Sequence, residues 1–171
     1  MRKLIYILLT AAFGALSTQA SAGGIVYLGS GATESTTSTV AGGSPFSFGY
    51  LAISDTSSAV YGFDIAREGT MLDSTYGQNS LQQALSLNVL VGSNLSKTEN
   101  MRIDASALIG MRESFSDCPS SYLGYQCYAN TAPSTDYKFN YGVVVSFTFD
   151  KVSLGVRATG ESTQAILGFR F

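Results

Sequence analysis

The chain has 171 residues, enough for one domain with a sizeable core, and 45% of them are hydrophobic. Only 13% are charged, about half the usual fraction, whereas Gly (18), Tyr (10) and Phe (10) are plentiful and Trp is absent. This composition excludes a highly charged, disordered or nucleic-acid-binding chain and favours strands in an apolar medium.

The first 22 residues have the pattern of a secretory signal peptide. Arg2 and Lys3 form a charged n-region, an apolar run follows from Leu4, and Ala20-Ser21-Ala22 is an A-x-A cleavage site. The apolar run is well short of the roughly 20 residues that a spanning helix needs. We therefore expect a signal peptide over residues 1–22 and a mature domain over 23–171. Cleavage leaves eight basic residues against twelve acidic ones, so no nucleic-acid partner is expected.

The first three predicted strands cover residues 24–28, 45–54 and 59–67, with Pro45 opening the second. Ile25 and Tyr27 share the apolar face of the short first strand, and a Ser/Thr/Gly-rich loop follows over residues 31–44. A tight turn at 55–58 joins strands two and three. Its register brings the apolar faces together by pairing Ala52 with Tyr61, Tyr50 with Phe63, and Phe48 with Ile65.

Residues 68–79 read as a second polar loop, followed by strands over 80–92 and 101–112. In the first of these, Leu85, Leu87, Val89 and Val91 share a face. Residues 81–90 also contain helical spacings and good helix formers, but the alternation favours a strand. A polar turn over 93–100 leads to the fifth strand, whose apolar face alternates with Arg102, Asp104 and Arg112.

The longest predicted loop, residues 113–135, carries both cysteines and precedes the last three strands. Residues 137–149 alternate most clearly, Asp150 and Lys151 fit a two-residue turn, and Gly160-Glu161 suits a type II′ turn. The registers pair Phe149 with Val152, Phe147 with Leu154, Val145 with Val156, Val156 with Ala165, Leu154 with Leu167, and Val152 with Phe169.

Eight strands with long loops after strands one, three and five, and short turns after two, four and six, are typical of an antiparallel transmembrane barrel. The Gly160 turn departs from that trend. A soluble β-sandwich or lipocalin-like barrel is the alternative, with its apolar face buried inside. The breadth of the apolar face and the aromatic residues at both ends of strand six favour lipid. We expect a closed, eight-stranded, up-and-down all-β barrel, in which strand eight pairs with the short first strand.

On these residues the chain resembles the small eight-stranded, porin-like outer-membrane barrels of Gram-negative bacteria. The terminal Gly168-Phe169-Arg170-Phe171 is similar to the signal that the barrel-assembly machinery recognises in that class, carried by Phe169 and Phe171. The resemblance implies export through the periplasm, a location in the cell outer membrane, contact with its lipid, and the assembly machinery as a partner during insertion.

The sequence offers little chemistry. It contains no His. The enzymatic barrels that this class resembles all need an active-site His for proton transfer, so no catalytic activity and no cofactor are expected. Cys118 and Cys127 lack the paired spacing of zinc sites and should form a disulfide in an oxidising compartment. Two interpretations of that staple stay open. It presents Tyr122, Tyr125 and Tyr128 as a contact surface, or it only protects the loop from proteolysis.

The second face of the strands carries seven charges, and these also allow two interpretations. They could line a pore that prefers anions, or Asp64 and Asp104 could pair with arginines in a filled interior. Eight strands leave room only for side chains, and inward Leu51, Ile53, Val60, Val144 and Ile166 add plugs, so the filled interior is favoured. We expect a structural or surface-interaction role through loops 31–44, 68–79 and 113–135, with an unknown surface ligand; the alternative is a small-solute channel. The predicted network is Asp64, Arg102, Asp104, Arg112, Lys138, Arg157 and Arg170.

Overall fold

The computed structural model describes residues 22–33, 43–54, 56–73, 80–117 and 134–171. Each strand pairs antiparallel with the next, and the first pairs with the last, so the sheet closes into an up-and-down barrel. The described parts of the chain include no helix long and apolar enough to cross a membrane. The strands are β1 (Ala22–Thr33), β2 (Phe46–Ser54), β3 (Ala59–Asp73), β4 (Ser80–Lys97), β5 (Met101–Asp117), β6 (Ser134–Phe149), β7 (Val152–Thr159) and β8 (Ser162–Arg170).

The seam between β1 and β8 confirms the predicted closure. Its register runs from Ile25 opposite Arg170 to Thr33 opposite Ser162. Beyond β8, the main chains of Gly24 and Phe171 exchange hydrogen bonds of 3.1 and 3.0 Å. β1 is longer than the predicted 24–28, because its ladder continues through small residues that carry no apolar signal.

The three predicted hairpin registers are also confirmed, whereas the strand ends are not. Ala52 faces Tyr61, Phe149 faces Val152 and Val156 faces Ala165. However, β3 continues to Asp73, β4 to Lys97 and β5 to Asp117, so parts of the predicted loops 68–79 and 113–135 are strand. Main-chain ladders need no apolar side chains, which is why the apolar alternation ends before the strands do.

The outer surface of the barrel is apolar and the inside is polar, the reverse of a soluble barrel. Phe139 is 66% exposed and Leu87 is 50% exposed, while Arg102 and Asp64 are buried. The rings of Phe139 and Tyr141 stack at one end of this band, and those of Tyr50 and Phe171 stack at the other. An apolar belt with aromatic rims is the surface of a transmembrane barrel, so the soluble alternative is wrong.

The two ends of the barrel differ. The turn end carries the short β2–β3, β4–β5 and β6–β7 connections, and the loop end carries the other four. The β7–β8 turn at the loop end is not the predicted type II′, because Gly160 does not have the positive φ that this turn requires of its first central residue. Instead, the Thr159 hydroxyl accepts hydrogen bonds from the Glu161 and Ser162 amides at 3.3 and 3.2 Å and holds the turn closed.

At the loop end, the β3–β4 pair continues beyond the ladders to β2 and β5, which end at Phe46–Arg67 and Ser86–Arg112. A bulge interrupts the β3–β4 ladder between Glu68 and Thr70, where Gly69 has a φ of 64°. Beyond it, one edge of β3 pairs with β4, and Leu72 also pairs in parallel with Phe115 of β5. We call the paired segments 70–73 and 80–83 the outer hairpin.

Candidate functional site

The loop-end half of the lumen holds a buried guanidinium between two carboxylates. Arg157 of β7 reaches across the barrel to Asp64 and Glu68 of β3, and all three side chains have 0% exposure. Its Nη2 donates to Asp64 Oδ1 at 2.8 Å and to Glu68 Oε1 at 2.7 Å. Its Nη1 donates to Glu68 Oε2 at 2.7 Å, and its Nε lies 3.1 Å from Asp64 Oδ2. One side chain therefore braces opposite walls of the barrel.

Neutral donors complete the hydrogen bonding of both carboxylates. Charge-assisted bonds of this kind are the strong ones, and they offset the excess of one negative charge over the guanidinium. Six of the eight strands contribute to this group, which we call the Arg157 cluster. Asp64 accepts from Tyr27 (2.8 Å) and Asn88 (2.9 Å), and Glu68 accepts from Ser86 (2.9 Å), Asn140 (3.0 Å), Thr159 (2.7 Å) and Ser162 (2.7 Å).

The strand pattern explains how these groups meet. Asp64 and Glu68 are four residues apart on β3, so both point to the same side of the sheet. Tyr27 also points inward, together with Ile25, which corrects the prediction that these two lie on the lipid face. Tyr27 lies opposite Gly49, where any Cβ would overlap the tyrosine ring. The hydrogen bond to Asp64 gives the buried phenol the partner that lipid could not supply.

An apolar layer lies between the Arg157 cluster and the turn end. On the strands that contribute to both, the apolar residue is nearer the turn end than the polar residue of the cluster, as with Leu90 beyond Asn88 and Val144 beyond Asn140. No side chain in this layer is more than 4% exposed, so the middle of the lumen is filled. Its members are Ile25, Leu51, Ile53, Val60, Leu90, Leu108, Val144 and Ile166, with the Tyr27 ring against them.

A second buried ion pair lies towards the turn end. The Nε of Arg102 donates to both oxygens of Asp104 at 2.8 Å, and its Nη1 donates to the Ser54 carbonyl at 3.1 Å. Asn94 donates to Asp104 Oδ1 at 2.9 Å. The lumen is thus charged towards both ends and apolar in the middle.

The remaining predicted network residues lie elsewhere. Arg112 is at the loop-end mouth, where it forms an ion pair with Glu161 and is 11% exposed. Lys138 was predicted to face the lumen, but it lies on the loop-end extension of β6, is exposed, and forms no ion pair with any residue that the structure describes. Arg170 is half-buried at the turn end, and Phe169 and Phe171 are exposed there on the outer surface.

Sequence reasoning missed Glu68, the second carboxylate of the cluster. The sequence places Glu68 in the predicted loop 68–79, because the apolar alternation of β3 ends before it. The signal that could have found it is the shared parity of Asp64, Ala66 and Glu68. Cys118 and Cys127, with Tyr122, Tyr125 and Tyr128, lie outside the described residues, so their disulfide stays a prediction.

The arrangement favours bracing over chemistry. Each carboxylate oxygen of the Arg157 cluster already accepts at least two hydrogen bonds, which leaves little capacity for a substrate. Over the described ranges, no group of three or more His, Cys, Asp or Glu side chains is placed to hold a metal ion.

Comparison with known proteins finds two similar structures but no family. No protein-family description matches the chain, and no curated protein matches it in sequence. Two solved structures of Ail, the attachment invasion locus protein of Yersinia pestis, are similar. One, in complex with the heparin analogue sucrose octasulfate, is 13% identical over 88% of this chain and 97% of that chain, with a TM-score of 0.45. The other, of the outer membrane protein in a phospholipid bilayer nanodisc, is 13% identical over 88% and 99%, with a TM-score of 0.42.

Proposed function

We propose that this chain is an integral outer-membrane barrel whose lumen does not conduct and whose role is structural or surface interaction at its loop end. One observation carries the proposal. The Arg157 cluster and the apolar layer beside it fill the lumen with side chains that are almost fully buried. Eight strands enclose just enough space for such a filling.

The membrane location is supported by the outer surface and by both ends of the sequence. An exposed apolar belt on a closed sheet leaves no unpaired backbone in lipid. The predicted signal peptide over residues 1–22 supports export, and the terminal Phe169 and Phe171 support recognition by the barrel-assembly machinery. These features favour the bacterial outer membrane.

A non-enzymatic role is supported by two features. The sequence contains no His, the residue most often used for proton transfer in catalysis. The buried carboxylates that could replace it are held by the Arg157 guanidinium and by neutral donors, so neither is available as a base.

Planar-bilayer recording of the purified full-length barrel tests the sealed lumen. We expect no stable conductance steps. The alternative, a small-solute channel with a basic lumen, predicts steps whose anion preference falls in Arg157→Gln. Such steps would overturn the proposal, while the absence of conductance steps in both the wild type and Arg157→Gln would support it.

The surface role needs a binding experiment. Deletion of residues 118–127 should abolish binding of the folded barrel to envelope or host components, because it removes the predicted stapled loop. Full binding after this deletion, and after deletion of residues 35–41 or 74–79, would contradict a role for the loop end.

A further inference from the structure

At the loop-end mouth, Arg112 contacts the outer hairpin, the β5 wall and the β7–β8 turn. We propose that the outer hairpin is a hinged cap over the lumen, with Gly69 as its hinge and Arg112 as its latch. The inference adds a second barrier above the sealed lumen proposed above. It depends on that proposal only in placing the Arg157 cluster beneath the cap.

The pairing of β3 indicates the path that the hairpin takes. Within residues 70–73, one edge of β3 is paired with β4, from Thr70 opposite Gln83 to Asp73 opposite Ser80. The parallel pairing of Leu72 with Phe115 must therefore use the opposite edge, which faces β2 in the barrel wall. The hairpin is therefore turned out of the wall at this point, and the hydrogen bond from Arg112 at the loop-end mouth to the Thr70 carbonyl places residue 70 on the lumen side.

A contact on the far side of the mouth agrees with this path. Gly69 lies directly against the Glu161 side chain in the β7–β8 turn, on the other side of the barrel from β3. The positive φ of Gly69 provides the bend, since left-handed backbone is accessible to glycine at little cost. The hinge and the far wall are thus in contact.

Arg112 of β5 ties these parts together. Its Nη2 forms the ion pair with Glu161, and its Nη1 donates to the Thr70 carbonyl at 3.1 Å and to the Glu113 carbonyl at 3.1 Å. One guanidinium therefore connects the cap, the β5 wall and the β7–β8 turn. A lysine could not reproduce this forked geometry.

The cap is built more loosely than the layer below it. Thr70, Met71, Leu72 and Asp73 are half-buried, whereas Glu68 just before the hinge is fully buried. Segments with few buried contacts open locally at low free energy, while the rest of the protein stays folded. A single latch can therefore decide how often this segment opens.

Amide hydrogen exchange of the full-length barrel in lipid bilayers measures that opening. In Arg112→Gln, exchange at residues 70–73 should rise about five- to tenfold, as expected for loss of a partly buried, forked ion pair. Glu161→Gln should produce a similar rise, and the double variant should exchange no faster than the faster single variant, because both substitutions break the same latch. Exchange at Asp64 and Leu90 should stay unchanged in all three.

Lys138→Gln is the matched control, because it removes an exposed cation opposite Arg112 in the β5–β6 register. Its exchange at residues 70–73 should equal that of the wild type. Unchanged exchange in Arg112→Gln, or additive effects in the double variant, would overturn the latch. Conductance recorded on the same samples reports separately on the sealed lumen, since faster exchange without conductance supports the cap above a lumen that stays filled.

Discussion

Replacement of Arg157 by Met should destabilise the barrel more than any other single charge removal within the lumen. The change leaves Asp64 and Glu68 without their cation at 0% exposure. Removing one partner of a buried ion pair costs roughly 3–5 kcal/mol. Two carboxylates lose their partner here, but neutral donors remain on both, so we expect a loss of about 4 kcal/mol in the free energy of unfolding.

Urea unfolding in phospholipid vesicles, followed by far-ultraviolet circular dichroism, measures this loss. Lys138→Met is the control, because this exposed side chain has no ion pair with a described residue and its loss should change stability by no more than about 0.5 kcal/mol. The triple variant Asp64→Asn, Glu68→Gln, Arg157→Met removes all three charges and should recover at least about half of the loss, since no charge remains unpaired. A loss below about 1 kcal/mol in Arg157→Met, or no recovery in the triple variant, would refute the bracing role.

Three further substitutions test other parts of the structure. Gly69→Ala should destabilise the outer hairpin by about 1–2 kcal/mol, measured by hydrogen exchange, because it forces a Cβ into left-handed backbone against Glu161. Gly160→Ala is the control, because Gly160 has open space around it and its replacement should be neutral. Equal effects of the two substitutions would contradict the hinge. Phe171→Ala removes the ring stacked on Tyr50 and should slow insertion by the assembly machinery, whereas Phe149→Ala, at the same end, should insert at the wild-type rate. Val89→Arg should destabilise the barrel by about 2–4 kcal/mol in urea titration, because it places a charge in the apolar belt. Thr56→Arg, in an exposed turn, is the control. If Val89→Arg destabilises the barrel no more than Thr56→Arg does, position 89 does not face lipid.

The sequence predicted the wall of the barrel better than its ends. Hairpin registers could be derived because a shift of one residue would turn Phe48 or Leu154 towards the lumen, so the apolar pattern admits one pairing. The ends of β3 and β5 could not be derived, because main-chain hydrogen bonds extend those strands through residues that do not alternate between apolar and polar. For the same reason, the sequence did not predict the inward position of Glu68 or the outer hairpin.

The orientation of Tyr27 shows a second limit. Periodicity gives two faces to the short first strand but does not say which one meets lipid, because both Val26 and Tyr27 are apolar enough for either side. The choice depends on Gly49 across the ladder and on Asp64 two strands away. Such partners become visible only when the barrel is closed. The pairing of Arg157 with Asp64, in contrast, follows from inward parity and opposite charge.

The central claim is that the exposed apolar belt faces lipid while the buried face is sealed. The chain has no tryptophan, so all tryptophan fluorescence of Val89→Trp comes from position 89. Its fluorescence in vesicles should be quenched strongly by lipids brominated on their acyl chains and weakly by aqueous acrylamide, with Thr56→Trp at the exposed turn showing the opposite order. Strong acrylamide quenching of the tryptophan at position 89, without quenching by the brominated lipids, would contradict the transmembrane barrel.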